Sequence, residues 1–240
     1  MLDKIKVALR EGGMRVCFQP MKAVYALDKP ATFFEALVRL DALGKLIPAG
    51  RFMTAVQGDR ETAIALDDFV LRSVAAQVKR HEDYRYAVNV TAASLALPGF
   101  EGKIDQLFGD AAKERLVIEV MEDHPLSVAA IATTHSLLKI TSVYLDDVGM
   151  SFSNAQAIVS HGINGLKIDG SYVVKMLDSR PHRAIVAAVF SICMALDMVC
   201  VCEKVENPLL VEAIKTLAGH YRFLDLYLQG YAIGRPELHR

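Results

Sequence analysis

The 240-residue sequence has only four cysteines, Cys17, Cys193, Cys200 and Cys202, and no two of them form a C-x-x-C pair. Without that pair or a histidine-rich partner spacing, a structural zinc site has no basis here. Cys200 and Cys202 fall inside an apolar run, where free thiols behave as small core side chains, so a reduced, cytoplasmic protein is expected. An excess of basic charge is also missing. Lys and Arg number 27 against 28 Asp and Glu, and the pI is near 6.7, which argues against a DNA- or RNA-binding face and against polybasic attachment to a membrane. The start, "MLDKIKVALREGG", lacks the apolar region of a signal peptide and reads as a short amphipathic helix. The only long apolar stretch, residues 184–202, is interrupted by Asp197 and ends in β-branched residues, so it reads as a helix followed by a strand rather than a membrane span. No G-x-x-x-x-G-K-[ST], G-x-G-x-x-G, H-E-x-x-H or G-x-S-x-G motif occurs, which removes the commonest nucleotide, metalloprotease and serine-hydrolase signatures.

What is present is alternation. Hydrophobic residues make up 52% of the chain, enough for a large core. Strand-like segments begin at Val16, Thr32, Tyr86, Arg115, Ser142, Gly165, Val199 and Phe223, and helix-period stretches such as "ETAIALDDFVLRSVAAQVKR" and "PLLVEAIKTLAGH" lie between them. Eight strands separated mostly by helices predict an α/β fold, a TIM-like (β/α)8 barrel, with a doubly wound open sheet as the alternative. Only "YALDKPA" joins the first two strands. That is too short for a helical crossover, so the first strand must run antiparallel to the rest. No linker or internal repeat divides the chain, and one domain over residues 1–240 is expected.

Each strand carries a polar residue that a buried strand should avoid: Gln19, Glu35, Asn89, Glu119, Asp146 with Asp147, Lys167 with Asp169, Glu203 and Gln229. Any one of them is equally well explained as an edge or rim residue. Their recurrence on nearly every strand, toward the end that forms the mouth of a parallel barrel, is not. Four carboxylates on different strands plus an Asn carbonyl form an oxygen-rich nest of the kind that hard divalent cations, Mg²⁺ or Mn²⁺, prefer. Neighbouring strand residues point to opposite faces. Asp146 and Asp147 can therefore both serve the mouth only if the strand ends there, with Gly149 permitting the turn. Splayed acids of this kind can each hold one metal of a pair about 3.5–4 Å apart, the arrangement of phosphoester hydrolysis. Lys167 has a rival reading as a Schiff-base nucleophile, but the surrounding acids would raise its pKa, and a charged lysine that stabilises phosphate fits better.

These residues resemble the EAL-domain phosphodiesterases that hydrolyse cyclic di-GMP in bacteria. The likeness runs from "CFQPMKAV" to "QGYAIGRP". "FFEALVRL" supplies the name motif, and "YAVNVTAASL" is similar to the N-[VL]-S segment with Thr91 where Ser is usual. "LVIEVMED", "YLDDVG", "GLKIDGSYV" and "VCEKVEN" resemble the E-[IL]-T-E, D-D-F-G, L-K-I-D and A-E-G-V-E-T motifs. The resemblance implies a two-metal phosphodiesterase that opens cyclic di-GMP to linear pGpG, on a barrel with one antiparallel strand. Glu35, Asn89, Glu119 and Asp146 would bind the first metal and Asp147 the second, with Gln229 lining the site. Lys167 would steady the nucleophilic water and the phosphate, and Glu203 would act as general base or as the acid that holds metal-bound water. Gln19 and Arg39 match substrate-contacting positions, with Asp169 close to them. Glu122 and Glu206 match supporting acids, Glu122 steadying the loop after the Asp pair. Family members commonly form homodimers, and relatives of this compact kind include degenerate ones that bind the nucleotide or a regulatory protein partner without turnover. This sequence departs from the pattern after the Asp pair, where "DDVGMSFSN" puts Val148 for Phe, Met150 for Thr and Ser151 for Gly. It departs again where Lys204 replaces the Gly and Asn207 the Thr of A-E-G-V-E-T.

Overall fold

The short connection between the first two strands sets the topology. In the computed structural model, which describes residues 1–121, 127–149, 162–221 and 225–239, β1 (Met14–Ala23) pairs antiparallel with β2 (Phe33–Ala42), and Gln19 lies opposite Glu35. From β2 onward the ladder is parallel through β4 (Arg85–Val90), β5 (Leu116–Met121), β6 (Ser142–Val148), β7 (Gly165–Ile168), β8 (Val199–Cys202) and β9 (Leu226–Gln229). β9 then pairs antiparallel with β1 and closes the sheet into an eight-stranded barrel. The reversed first strand and the barrel architecture are those expected from the sequence, and the open sheet is excluded.

One strand was not anticipated. β3 (Lys45–Pro48) folds back antiparallel on β2 through a two-residue turn, Leu43–Gly44. Both turn residues have positive φ, 55 and 85, as a tight turn matched to strand twist requires. Helices cover the outside of the barrel. The longest, Arg60–Arg80, begins at Asp59, whose carboxylate accepts from Thr62 N and Oγ1 and from Lys6 of the first helix, Leu2–Glu11. Among the described residues no helix is long and apolar enough to cross a membrane.

Strand alternation divides the barrel interior into layers. The lower layer is apolar: Met21, Phe33, Ala87, Val117, Tyr144 and Val201 pack into one cluster, with Val199 and Tyr227 against it. The Tyr144 ring lies so close to β7 that a Cβ at Gly165 would meet it at 2.7 Å, so only glycine fits there. Two residues further along the same faces come Glu35, Asn89, Glu119, Asp146, Lys167 and Gln229. The lower layer holds the strands together, and the upper layer displays the polar groups.

Candidate active site

The upper layer converges on Lys167. Its ammonium is fully buried and lies 2.9 Å from Glu203 Oε1, 3.1 Å from Glu119 Oε2, 3.2 Å from Asp146 Oδ1 and 3.5 Å from Glu35 Oε2. Asn89 donates its amide to Glu35 Oε1 at 2.6 Å and to Glu119 Oε2 at 3.1 Å. Gln229 donates to Glu35 Oε2 at 2.5 Å and lies 3.4 Å from Gln19 Oε1, while Gln19 donates to Gly234 O at 3.2 Å. Seven side chains from seven strands, and Glu203 just past the end of β8, therefore meet in one buried cluster.

The two adjacent aspartates reach it by a route other than the expected strand end. β6 continues to Val148, and between Leu145 and Val148 its register against β7 shifts. From Tyr144 to Val148 β6 takes four residue steps while its partners on β7, Gly165 to Ile168, take three. The extra residue forms a bulge, and Asp147 takes a left-handed φ of 57. The bulge cancels the alternation that would have turned one acid away. Asp146, Asp147 and Glu203 each present a carboxylate oxygen within 4.8 Å of the others. Asp147 also interacts with Asp169, which caps the helix Gly170–Lys175 by accepting from Ser171 N at 2.8 Å.

Charge in this cluster is unbalanced, and the proton affinities show it. Burial alone would discharge Lys167, but Asp146, Glu119, Glu203 and Glu35 together hold its pKa well above the ordinary value. A lysine in that state cannot serve as a Schiff-base nucleophile at neutral pH. Burial pushes Glu35 up, yet Lys167 and the donors Gln229 and Asn89 bring it below its ordinary value. Burial drives Glu119 well up, Lys167 opposing and Glu35 and Asp146 adding to the rise. Glu203 is raised to about 7, first by burial, with Lys167 opposing and the charges of Asp146 and Glu35 contributing. Glu119 Oε1 is buried without a hydrogen-bond partner among the described residues. A buried carboxylate oxygen in that condition is short of a donor, although Lys167 holds the other oxygen of the same carboxylate. The three clustered acids, Asp146, Asp147 and Glu203, fit a hard divalent cation in chemistry and spacing.

The remaining sequence-derived residues are dispersed. Arg39 lies on β2 beyond Glu35, half-buried, and donates to Val38 O. Glu206 is exposed on the turn after β8, outside the hydrogen-bonded cluster. Glu122, Met150 and Ser151 lie outside the described residues. Two residues have structural parts to play that the sequence analysis did not give them. Asp67, buried on the long helix, accepts from Thr91 N, Thr91 Oγ1 and Ser94 Oγ and so fixes the chain just past Asn89. Its signal was a charged residue on the apolar face of a helical repeat. Lys204 follows Glu203 with a positive φ of 51. Beside Asn89 opens a cleft of ≈ 300 Å³ walled by Leu37, Met53, Leu66, Val70 and Thr91.

Comparison with known proteins places these residues in a family. The EAL domain profile matches residues 2–236. PdeB of Shewanella oneidensis, named a cyclic di-GMP phosphodiesterase, is 24% identical over 251 residues, which is 98% of this chain and 28% of that protein. PdeF of Escherichia coli, named likewise, is 25% identical over 247 residues, 99% of this chain and 32% of that protein. The chain thus spans about a third or less of these curated relatives. Among solved structures, the PaMucR phosphodiesterase in complex with c-di-GMP superposes with a TM-score of 0.84 at 23% identity, covering 99% of this chain and 97% of that one. An EAL domain protein from Listeria monocytogenes superposes with a TM-score of 0.82 at 23% identity, covering 99% and 94%.

Proposed function

The chain belongs to the EAL domain family, and from that premise we propose that it is a metal-dependent phosphodiesterase that opens cyclic di-GMP to linear 5′-pGpG. The observation that carries this reading is the convergence of four carboxylates on one buried ammonium, with an orphaned carboxylate oxygen among them and one further acid, Asp147, clustered with Asp146 and Glu203. A pure binding surface gains nothing from so costly a cluster of buried charge.

Glu35, Asn89, Glu119 and Asp146 would hold one divalent cation and Asp147 a second, with Gln229 bordering them. Bound there, Mg²⁺ or Mn²⁺ would polarise the phosphoryl group and make an attacking water more acidic. The chain's own side chains do the rest. Water adds across one P–O3′ bond, leaving the phosphate as a 5′ ester and the ribose with a free 3′-hydroxyl. Glu203, titrating near 7, is matched to accept the proton of that water at neutral pH. Lys167 keeps its charge and opposes the negative charge that grows on the phosphoryl oxygens. Gln19 and Arg39 line the β1–β2 side of the mouth and serve the substrate there, with Asp169 close to them and beside Asp147. Glu122 and Glu206 are assigned supporting roles. The apolar cleft beside Asn89 offers a surface against which a base can lie. The same reading carries a cytoplasmic homodimer that is open to control by a regulatory protein partner.

The test is product analysis. Purified protein incubated with cyclic di-GMP and Mg²⁺ or Mn²⁺ is expected to yield pGpG, and Glu35→Ala is expected to yield none. Absence of turnover with either metal, from folded protein, refutes the catalytic reading and leaves a binding module.

A further inference from the structure

Lys204 occupies a conformation that L-residues avoid, because a left-handed backbone crowds Cβ against the chain. Four non-glycine residues among those described have positive φ: Leu43, Asp147, Asp197 and Lys204. Two of these, Asp147 and Lys204, border the mouth of the barrel, and Asp169 links them. It interacts with Asp147 and lies 4.0 Å from Lys204 Nζ through Oδ2. Strained backbone persists where its surroundings over-determine it, and it concentrates at functional sites.

Its surroundings are complementary in shape. The aliphatic stem of Lys204 lies flat over Gly170, so that a Cβ at position 170 would sit 2.3 Å from Lys204 Cδ and 2.4 Å from Cγ. The residue after β7 thus gives up its side-chain volume to a residue after β8. The stem is fixed, and the ammonium is delivered to the rim, where the side chain is 59% exposed. A pair at 4.0 Å occupies at most one of its three donors.

The charge around it explains the need. Glu35, Glu119, Asp146, Asp147, Asp169 and Glu203 border this mouth, whereas Lys167 is fully buried and shared among four of them. A cyclic dinucleotide carries two phosphates into that negative field, and one of them lies away from the bond that breaks. We propose that Lys204 is a substrate-contacting cation that donates to the phosphate not being cleaved, and that it sets affinity rather than the rate of the chemical step. This rests on the phosphodiesterase reading above. Binding energy from a non-reacting part of the substrate that is equal in ground and transition states lowers KM without raising kcat.

The experiment is a kinetic and calorimetric series on the full chain: wild type, K204Q and the swap G170K/K204G, each checked for its melting midpoint. The swap returns a lysine to the same volume from the start of the helix that follows β7. K204Q is expected to raise KM for cyclic di-GMP about tenfold, as loss of one charge-assisted hydrogen bond implies, while kcat falls less than threefold. It should also make KM less sensitive to ionic strength, since one screened charge contact is gone. The swap is expected to recover most of the affinity, which a merely structural lysine would not allow. An unchanged KM in K204Q, a loss confined to kcat, or a weakened K204Q that the swap does not rescue overturns the proposal and leaves the phosphodiesterase reading standing. A wild type that neither binds nor hydrolyses the nucleotide overturns both.

Discussion

Replacing Lys167 with methionine tests whether the carboxylate cluster is held together by that single charge. The side chain is fully buried, and four carboxylate oxygens lie 2.9–3.5 Å from its nitrogen. Methionine fills similar volume, so the perturbation is chiefly the loss of charge. Removing one partner of a buried ion pair costs about 3–5 kcal/mol. The cluster has one escape, which is to bind another proton. From the ordinary Glu value of 4.5 up to pH 7, at about 1.4 kcal/mol per pH unit, that proton costs about 3–4 kcal/mol. The two figures agree, so Lys167→Met should destabilise the metal-free protein by about 3–4 kcal/mol at pH 7. The sign with pH follows. Protonation becomes cheaper as pH falls, so the loss should shrink to about 1 kcal/mol near pH 5. Urea unfolding in the presence of a chelator, at pH 7 and pH 5, measures both values. A loss below about 1 kcal/mol at pH 7, or the same loss at the two pH values, would refute the assignment of Lys167 as the counter-charge of the layer.

Other consequences are as direct. Glu203 lies beside the proposed ligands Asp146 and Asp147 and titrates near 7, so a cation bound next to it should expel its proton and affinity for Mg²⁺ or Mn²⁺ should rise about tenfold from pH 6 to pH 8; titration calorimetry in two buffers reads both. Gly230 has φ +153, and a Cβ there would sit 2.3 Å from Val205 N and O. Gly230→Ala should therefore cost about 1–3 kcal/mol or more and, by displacing Gln229, raise KM as well, which thermal melts and kinetics can separate. Asp59→Ala should lower the melting midpoint at pH 7 by removing the cap of the long helix. Asp59 is depressed to about 2, chiefly by the Thr62 hydrogen bonds and with a contribution from Lys6. Its stabilisation is therefore complete above the ordinary Asp value of about 4 and fades as pH falls toward 2, so the gap between variant and wild type should close in acid.

The barrel was legible in the sequence because its two governing signals are local. Apolar strands alternate with helical repeats along the chain, and "YALDKPA" is too short to cross the sheet. The polar layer was legible for a related reason, since a charged residue inside an apolar strand announces itself. Asp147 shows where local reading stops. Strict alternation turns it away from Asp146, and the bulge that brings them together depends on β7, whose register no stretch of β6 can reveal. The β2–β3 turn was missed because Leu43 gives no sign of adopting positive φ. Lys204 was visible as an unusual residue, but its meaning depends on Gly170, 34 positions earlier in the sequence and in contact only once β7 and β8 lie side by side.

The seam between β1 and β9 has a consequence for how the molecule comes into being. Barrel strands from β1 to β8 can pair with neighbours already made as the chain leaves the ribosome, whereas the closing pair joins Met21 to Gln229 across more than two hundred residues. Non-local closure of that kind is slow, and a chain awaiting it leaves sheet edges unpaired. Gln229, which donates to Glu35, arrives with the last strand. Until that strand docks, the acids gathered by the earlier strands lack one of their donors and face water. Completion of the polar cluster and completion of the fold are therefore one event, and a nascent or truncated chain that stops short of β9 lacks both.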